Sequence, residues 1–347
     1  MNKRLQQFIA EFARQNVDAY LVMNDTNITY LTQFRASESW LLVFPSSTFY
    51  ITDSRYILEA QEGLSGVIVV EYTKSMIPKV FELVGKMKAV RLGFDPRQVT
   101  LAQFYDLQKH CPAEVKLAQT PDFAGELRQI KERSEVDLIR KALKLNHKAY
   151  RYLKDVIKPG VTERQVLLKL ENYVKKTGAG FSFPPIIASG PNSCYPHARV
   201  TDRKIRNNEP VLVDMGIDIN GYKSDLTRMF FLGKITPLIR EVNSLVAESQ
   251  ERAIKKIKPG IPAAEVDYEA RNFLEQNQLA KYFGHSLGHG VGLEIHESPR
   301  ISQSSSAILK EGMIFTVEPA AYIPKKFGIR IEDMVLVTAS GCEVLSR

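Results

Sequence analysis

At 347 residues the chain is longer than one hydrophobic core usually organises, and its 44% hydrophobic and 25% charged content is ordinary for a soluble globular protein. No apolar run reaches the length of a secretory leader or a membrane span, so a cytoplasmic protein without a membrane partner is expected. The net charge of +8 would admit a polyanion, but the lysines and arginines are scattered and no nucleic-acid partner is expected; three cysteines without CxxC spacing exclude a disulfide framework and a thiolate zinc site.

Leu5, Phe8, Ile9 and Phe12 fall at helical spacing and predict an amphipathic first helix. A strand follows at 19–23. The apolar runs 40–44 and 48–52, split by Pro45-Ser46-Ser47, predict a hairpin whose Trp40 serves either the core or a lid. Next come a helix from Asp53 through Gln61, a buried-type strand at 67–71, a helix at 77–86 and a strand at 90–94. A helix opened by the capping box Thr100-Leu-Ala-Gln103 and a short strand at 115–117 complete the alternation, which predicts an α/β domain over residues 1–120. Thr120-Pro121 then opens a linking helix, 121–133.

From 134 to 347 the pattern changes. A long amphipathic helix reaches about residue 156, and the capping box Thr162-x-x-Gln165 opens a second one after Ile157-Lys-Pro-Gly-Val161. The phrase recurs as Ile257-Lys-Pro-Gly-Ile261, again between two helical stretches, with Val266 standing where Val166 stood. Two related halves are expected, with a site on the pseudo-twofold axis between them.

The stretch 211–233 predicts a hairpin about Asn220-Gly221, the pair that suits a type I′ turn. That register sets Asp214 opposite Thr227 and Gly216 opposite Asp225, and it places the two aspartates on one face as diagonal neighbours, roughly 7–8 Å apart at the backbone. Gly216 is expected to leave room between them. Such a pair faces water on an edge hairpin, shares a proton, or holds a cation.

Of the six histidines, four lie in two stretches rich in glycine or proline: His197, and then His285, His289 and His296. Each one alone reads more readily as a hydrogen-bonded structural residue than as a ligand. Glu318 precedes Pro319 in a β-like run, and Arg330 and Glu332 share a strand face by period two, so Arg330 is a candidate partner for Glu332. Together Asp214, Asp225, His289, Glu318 and Glu332 are too anionic to sit together without cations. They suit two divalent ions, manganese, iron, cobalt or zinc, which about 3.5–4 Å apart hold a bridging hydroxide and polarise a carbonyl.

The motifs D-x-G, G-Y-x-S-D-x-T-R, G-H-G-x-G-x-x-x-H-E, E-P and R-x-E-D resemble those of the pita-bread metallopeptidases, the family of prolidase, aminopeptidase P and methionine aminopeptidase, in its proline-specific branch. N-I-T-Y-L-T and T-D-S-R-Y resemble the creatinase/prolidase amino-terminal domain, which methionine aminopeptidases lack. The resemblance implies an α/β amino-terminal domain followed by an α+β pita-bread catalytic domain. It implies that Asp214 and Glu332 bridge or flank two metal ions, that Asp225 chelates one, and that His289 and Glu318 complete the other. Glu318 would also move the proton, His296 would donate to the developing oxyanion or the scissile amide, His197 and His285 would line the substrate pocket, and Arg330 would orient carboxylate ligands.

The activity implied is hydrolysis of Xaa-Pro dipeptides with manganese as the first choice of metal, in a homodimer. Aminopeptidase P activity on longer peptides is the alternative, and a general aminopeptidase or a non-catalytic binding module stand further off. Arg300 is either the clamp for a dipeptide's carboxylate or a solvent-facing arginine. The chain departs from the family pattern at Ala320-Ala321, at Ala198 and at Asn207-Asn208-Glu209, where Asn tolerates left-handed backbone.

Overall fold

The computed structural model describes residues 2–347 and forms two compact units, Met1–Arg128 and Gln129–Arg347. The division falls inside the stretch 121–133 expected to link two domains.

The first unit runs α1 (Lys3–Gln15), β1 (Ala19–Val22), α2 (Asp25–Thr32), β2 (Trp40–Val43), β3 (Thr48–Thr52), α3 (Ile57–Gly63), β4 (Ile68–Glu71), α4 (Met76–Lys86), β5 (Arg91–Phe94), α5 (Leu101–His110), β6 (Lys116–Gln119) and α6 (Phe123–Arg128). Its six strands form one sheet in the order β4-β3-β2-β1-β5-β6. Asn2 caps α1 by accepting from the Leu5 N–H, and the buried face of α1 packs Phe8 and Phe12 against Tyr20 of β1, with Phe123 of α6 closing the cluster. Trp40 is buried in the core of this unit. The helix α2 was not legible from periodicity, because Asn and Thr are poor helix formers; it is held by the Asn24 cap and by Asn27, which donates to Asp122 and accepts from Arg128. Expected as a buried strand, β4 proves to be an edge strand with Ile68 exposed, since only β3 pairs with it among the strands of the sheet.

The second unit runs α7 (Arg133–Val156), α8 (Glu163–Lys175), β7 (Gly180–Phe181), β8 (Ile186–Ser189), β9 (Pro210–Met215), β10 (Ile217–Ile219), β11 (Tyr222–Lys223), β12 (Leu226–Phe231), α9 (Pro237–Lys256), α10 (Ala263–Gln276), β13 (Gly288–Gly290), β14 (Glu297–Ile301), β15 (Ile314–Val317), β16 (Ala320–Ile323), β17 (Phe327–Arg330), β18 (Asp333–Val337) and β19 (Cys342–Val344). Its main sheets are β12-β9-β8 and β14-β13-β15-β18-β19. One apolar core gathers around α7 and α8 and another around α9 and α10.

The expected internal repeat is present down to individual hydrogen bonds. Gly160 N–H donates to the Ile205 carbonyl at 2.9 Å, and Gly260 N–H to the Leu309 carbonyl at 2.8 Å. Ile205 and Leu309 donate in return to Val161 and Ile261, each at 2.9 Å. Val166 and Val266 are both fully buried. Among the described residues no helix is long and apolar enough to cross a membrane.

Both glycines of the repeated Lys-Pro-Gly turn have positive φ, 91° for Gly160 and 85° for Gly260, with open space where a side chain would stand. Substitution therefore costs backbone strain alone. Gly160→Ala and Gly260→Ala should each lower unfolding free energy by about 1–2 kcal/mol, in matching amounts, in urea melts; a neutral result at either would contradict the shared geometry.

Candidate active site

The hairpin register is as the Asn-Gly turn predicts: Asp214 pairs with Thr227 and Asp218 with Lys223, and both turn residues have positive φ. The ladder is broken at Gly216. A Cβ there would overlap the Ser224 carbonyl and crowd the Ser182 hydroxyl, so the glycine makes room for backbone and not, as expected, for space between the aspartates. Asp214 ends up on β9 and Asp225 immediately before β12, both buried.

His289 lies on β13, which is squeezed between β14 and β15. The glycines around it serve that squeeze, since a Cβ on Gly288 would overlap the Thr316 carbonyl. A register shift between His289 and Gly290 bends the strand beside the site. Glu318 follows β15 and is held by the Thr316 hydroxyl at 3.1 Å. Ala320 and Ala321, where the chain departs from the family pattern, belong to β16.

The strand carrying Arg330 ends there, and Glu332 stands between β17 and β18, so the two do not form a period-two pair. Arg330 instead donates to Asp214, to the Tyr322 hydroxyl at 2.6 Å and to the Thr227 hydroxyl at 3.0 Å; that hydroxyl donates to Glu332 at 2.7 Å.

All the residues expected at the site meet at one cavity of about 1000 Å³: Asp214, Asp225, His289, Glu318 and Glu332 with His197, His285, His296, Arg300 and Arg330. His289 Nε2 lies 3.5 Å from Asp225 and 3.3 Å from Glu318. Its Nδ1 faces the Gly290 carbonyl at 3.2 Å, which fixes Nδ1 as the donor and leaves Nε2 for the cavity. His285 spends Nδ1 on the Ser286 carbonyl and Nε2 on the Tyr322 hydroxyl. His197, His296 and Arg300 are exposed, and Arg300 is the cross-strand neighbour of His289.

The electrostatics call for cations. Burial, then the charges of Glu332, Asp214 and Glu318, hold the Asp225 carboxyl well above its usual range. Burial, then Glu318 and Asp214, do the same to Glu332, and burial raises Asp214 despite the Arg330 guanidinium. Glu318 goes the other way: burial pushes it up, but the hydrogen bond and charge of His289 outweigh that and hold it at about 2. Among the described residues, one carboxylate oxygen each of Asp214 and Asp225 is buried without a hydrogen-bond partner. Donor atoms of Asp225, His289 and Glu332 all lie within 4.8 Å of one another. Clustered oxygen donors with one imidazole fit divalent metal ions, which would occupy the orphaned oxygens.

Residues 137–339 match Metallopeptidase family M24. The chain belongs to that family. Residues 4–130 match the Creatinase/Prolidase N-terminal domain. An Xaa-Pro dipeptidase from Pyrococcus horikoshii is 34% identical over 351 residues, covering 100% of this chain and 97% of that protein. The structure of an Xaa-Pro dipeptidase from Bacillus anthracis superposes with a TM-score of 0.95 at 32% identity, covering 99% of this chain and 97% of that one. An X-Pro aminopeptidase from Thermotoga maritima superposes at 0.89, with 32% identity and 97% of each chain covered.

This M24 metallopeptidase uses residues that sequence reasoning passed over. Thr227 joins Arg330 to Glu332, and it was identifiable as the hairpin partner of Asp214. Tyr150 on α7 sets its hydroxyl between the carbonyls of Val213 and Leu226, at 3.0 and 2.5 Å, beside Asp214 and Asp225. Gln250 on α9 donates to the carbonyls of Val317 and Ile331, at 2.9 and 3.1 Å, beside Glu318 and Glu332. The two stand at the same place in the repeat.

Metal removal should show a pH signature. In the metal-free protein the raised carboxyls favour their protonated forms, so stability falls as pH rises above about 4 towards their folded values. Glu318 contributes with the opposite sign, but its stabilisation is lost only as pH falls towards about 2. Bound cations displace those protons. The Tm gap between metal-loaded and EDTA-treated protein should therefore widen from about pH 5 to about pH 8; a constant gap would contradict the assignment.

Proposed function

We propose that this chain is a divalent-metal exopeptidase that removes the residue preceding proline, acting first on Xaa-Pro dipeptides. The observation that carries the reading is the convergence in one cavity of four carboxylates and an imidazole, with two buried carboxylate oxygens left unpartnered. The named activities of the relatives supply the substrate class.

Asp214, Asp225, His289, Glu318 and Glu332 would hold two ions, with manganese the best match to so oxygen-rich a set. When bound, such ions supply a polarised substrate carbonyl and a water acidified enough to attack near neutral pH. Glu318, ionised at that pH, takes the proton from the attacking water. It returns the proton to the proline nitrogen, which carries no hydrogen in the peptide and must gain one to depart. His296 faces the cavity, so a ring N–H is available for the oxygen on which negative charge develops. Arg330 holds Asp214 in place. His197 lines the substrate side of the cavity, His285 supports it through Tyr322, and Arg300 receives the carboxylate of the dipeptide.

A second reading, an aminopeptidase for longer peptides, is favoured by the size of the cavity, which stands at the upper end of the roughly 300–1,000 Å³ typical of small-molecule sites. Release of alanine from Ala-Pro and from Ala-Pro-Ala by manganese-loaded protein separates the two. Cleavage of the dipeptide with the tripeptide untouched supports the first reading, and preference for the tripeptide supports the second. Asp225→Asn should abolish cleavage of either and lower the bound metal measured by elemental analysis; full activity in that variant would sink both readings.

A further inference from the structure

We propose that Lys131 is a positioning residue for the reaction, acting through Glu297 on His296. The inference rests on the role given to His296 above. Lys131 Nζ lies 2.7 Å from Glu297 Oε1, and the two side chains are only 1% and 7% exposed. Exposed ion pairs contribute little, but removing one partner of a buried pair leaves an uncompensated charge, and the surrounding backbone must move to rehydrate it.

The lysine is delivered by a short strap at the start of the second unit. Ile130 bridges Met313, and the Lys131 N–H donates to the Gly312 carbonyl at 2.9 Å. Glu297 is the chain neighbour of His296 and opens β14. Its carboxylate lies directly over Gly292 and accepts from the Glu294 N–H at 3.4 Å, while Gly292 N–H donates to the Glu294 carbonyl at 3.1 Å. One carboxylate thus closes the 292–297 turn on itself, and Lys131 anchors that carboxylate from the far side.

His296 depends on this closure. Its side chain is exposed, and among the described residues its ring nitrogens make no hydrogen bond. The ring meets His289 edge-on with centroids 4.3 Å apart, which restrains tilt but leaves its placement to the backbone of the turn. A donor that must lie within hydrogen-bonding reach of a developing charge loses most of its value when displaced by about 1 Å. Lys131 does not line the cavity, and the Glu297 carboxylate at the cavity wall is engaged by Lys131 and by the Glu294 N–H, so both act by positioning.

The test is a kinetic cycle on Ala-Pro hydrolysis, with kcat expressed per mole of folded, metal-loaded enzyme. Lys131→Met should lower kcat about 10- to 100-fold, the range usual for residues that orient an active group, with little change in KM. In the His296→Ala background the same substitution should cost less than about twofold, because the group it positions is gone. Lys131→Arg should recover most of the activity. Unchanged kcat in Lys131→Met, or losses that multiply across the cycle, would overturn the proposal while leaving the role of His296 standing. Wild-type kcat in His296→Ala would remove that role and this proposal with it. Should Lys131→Met not fold, Glu297→Gln takes its place in the cycle with the same expected outcomes, since it keeps size and an acceptor while removing the charge.

Discussion

The second unit depends on holding four carboxylates in a space where they repel one another. In a low-dielectric cavity each added negative charge favours protonation of its neighbours, and burial alone already penalises the ionised forms. The protein offsets part of this with groups of its own. Arg330 neutralises Asp214, His289 stands between Asp225 and Glu318, and the Thr227 hydroxyl supports Glu332. The remainder, seen in the raised carboxyls and the two orphaned oxygens, is left for metal cations.

Such a site must be rigid before the cations arrive, and the internal repeat makes it so. The two halves contribute different polar side chains to the cavity but the same scaffolding: a long helix, a Lys-Pro-Gly turn and a second helix, backing a sheet whose strand ends carry the acids. Tyr150 in one half and Gln250 in the other each fasten two backbone carbonyls next to two carboxylates. A tyrosine hydroxyl has one proton to share, whereas the glutamine amide has two, so the chemistry differs while the position is kept. The strands carrying these acids are thereby tied to helices whose apolar faces form the two cores.

Much of this was legible in the chain. The Asn220-Gly221 turn set the hairpin register and so the neighbourhood of Asp214 and Asp225; the repeated Lys-Pro-Gly phrase announced the two halves; and the clustering of histidines and acids in a few blocks marked the site. These signals are local: a turn type, a period, a spacing. Where the reading failed, the deciding contacts were distant in sequence. Gly216 and Gly288 are small because backbone from another strand passes against them. The edge position of β4 reflects sheet order, which its hydrophobic pattern does not encode. The Asn/Thr-rich helix α2 forms because caps and buried side-chain bonds override weak propensity.

Sequence alone therefore singled out the side chains that line the cavity, the register of the strands beside Asn-Gly, and the family that those motifs resemble. Only the tertiary structure decided who pairs with whom: that Arg330 serves Asp214 and not Glu332, that Thr227 links the two, and that Lys131 is buried against Glu297. The reason is physical. A turn or a period is fixed by torsional preferences over a few residues, while the partner of a buried charge is fixed by whichever oppositely charged or hydrogen-bonding group packing brings within about 3 Å, from any distance along the chain.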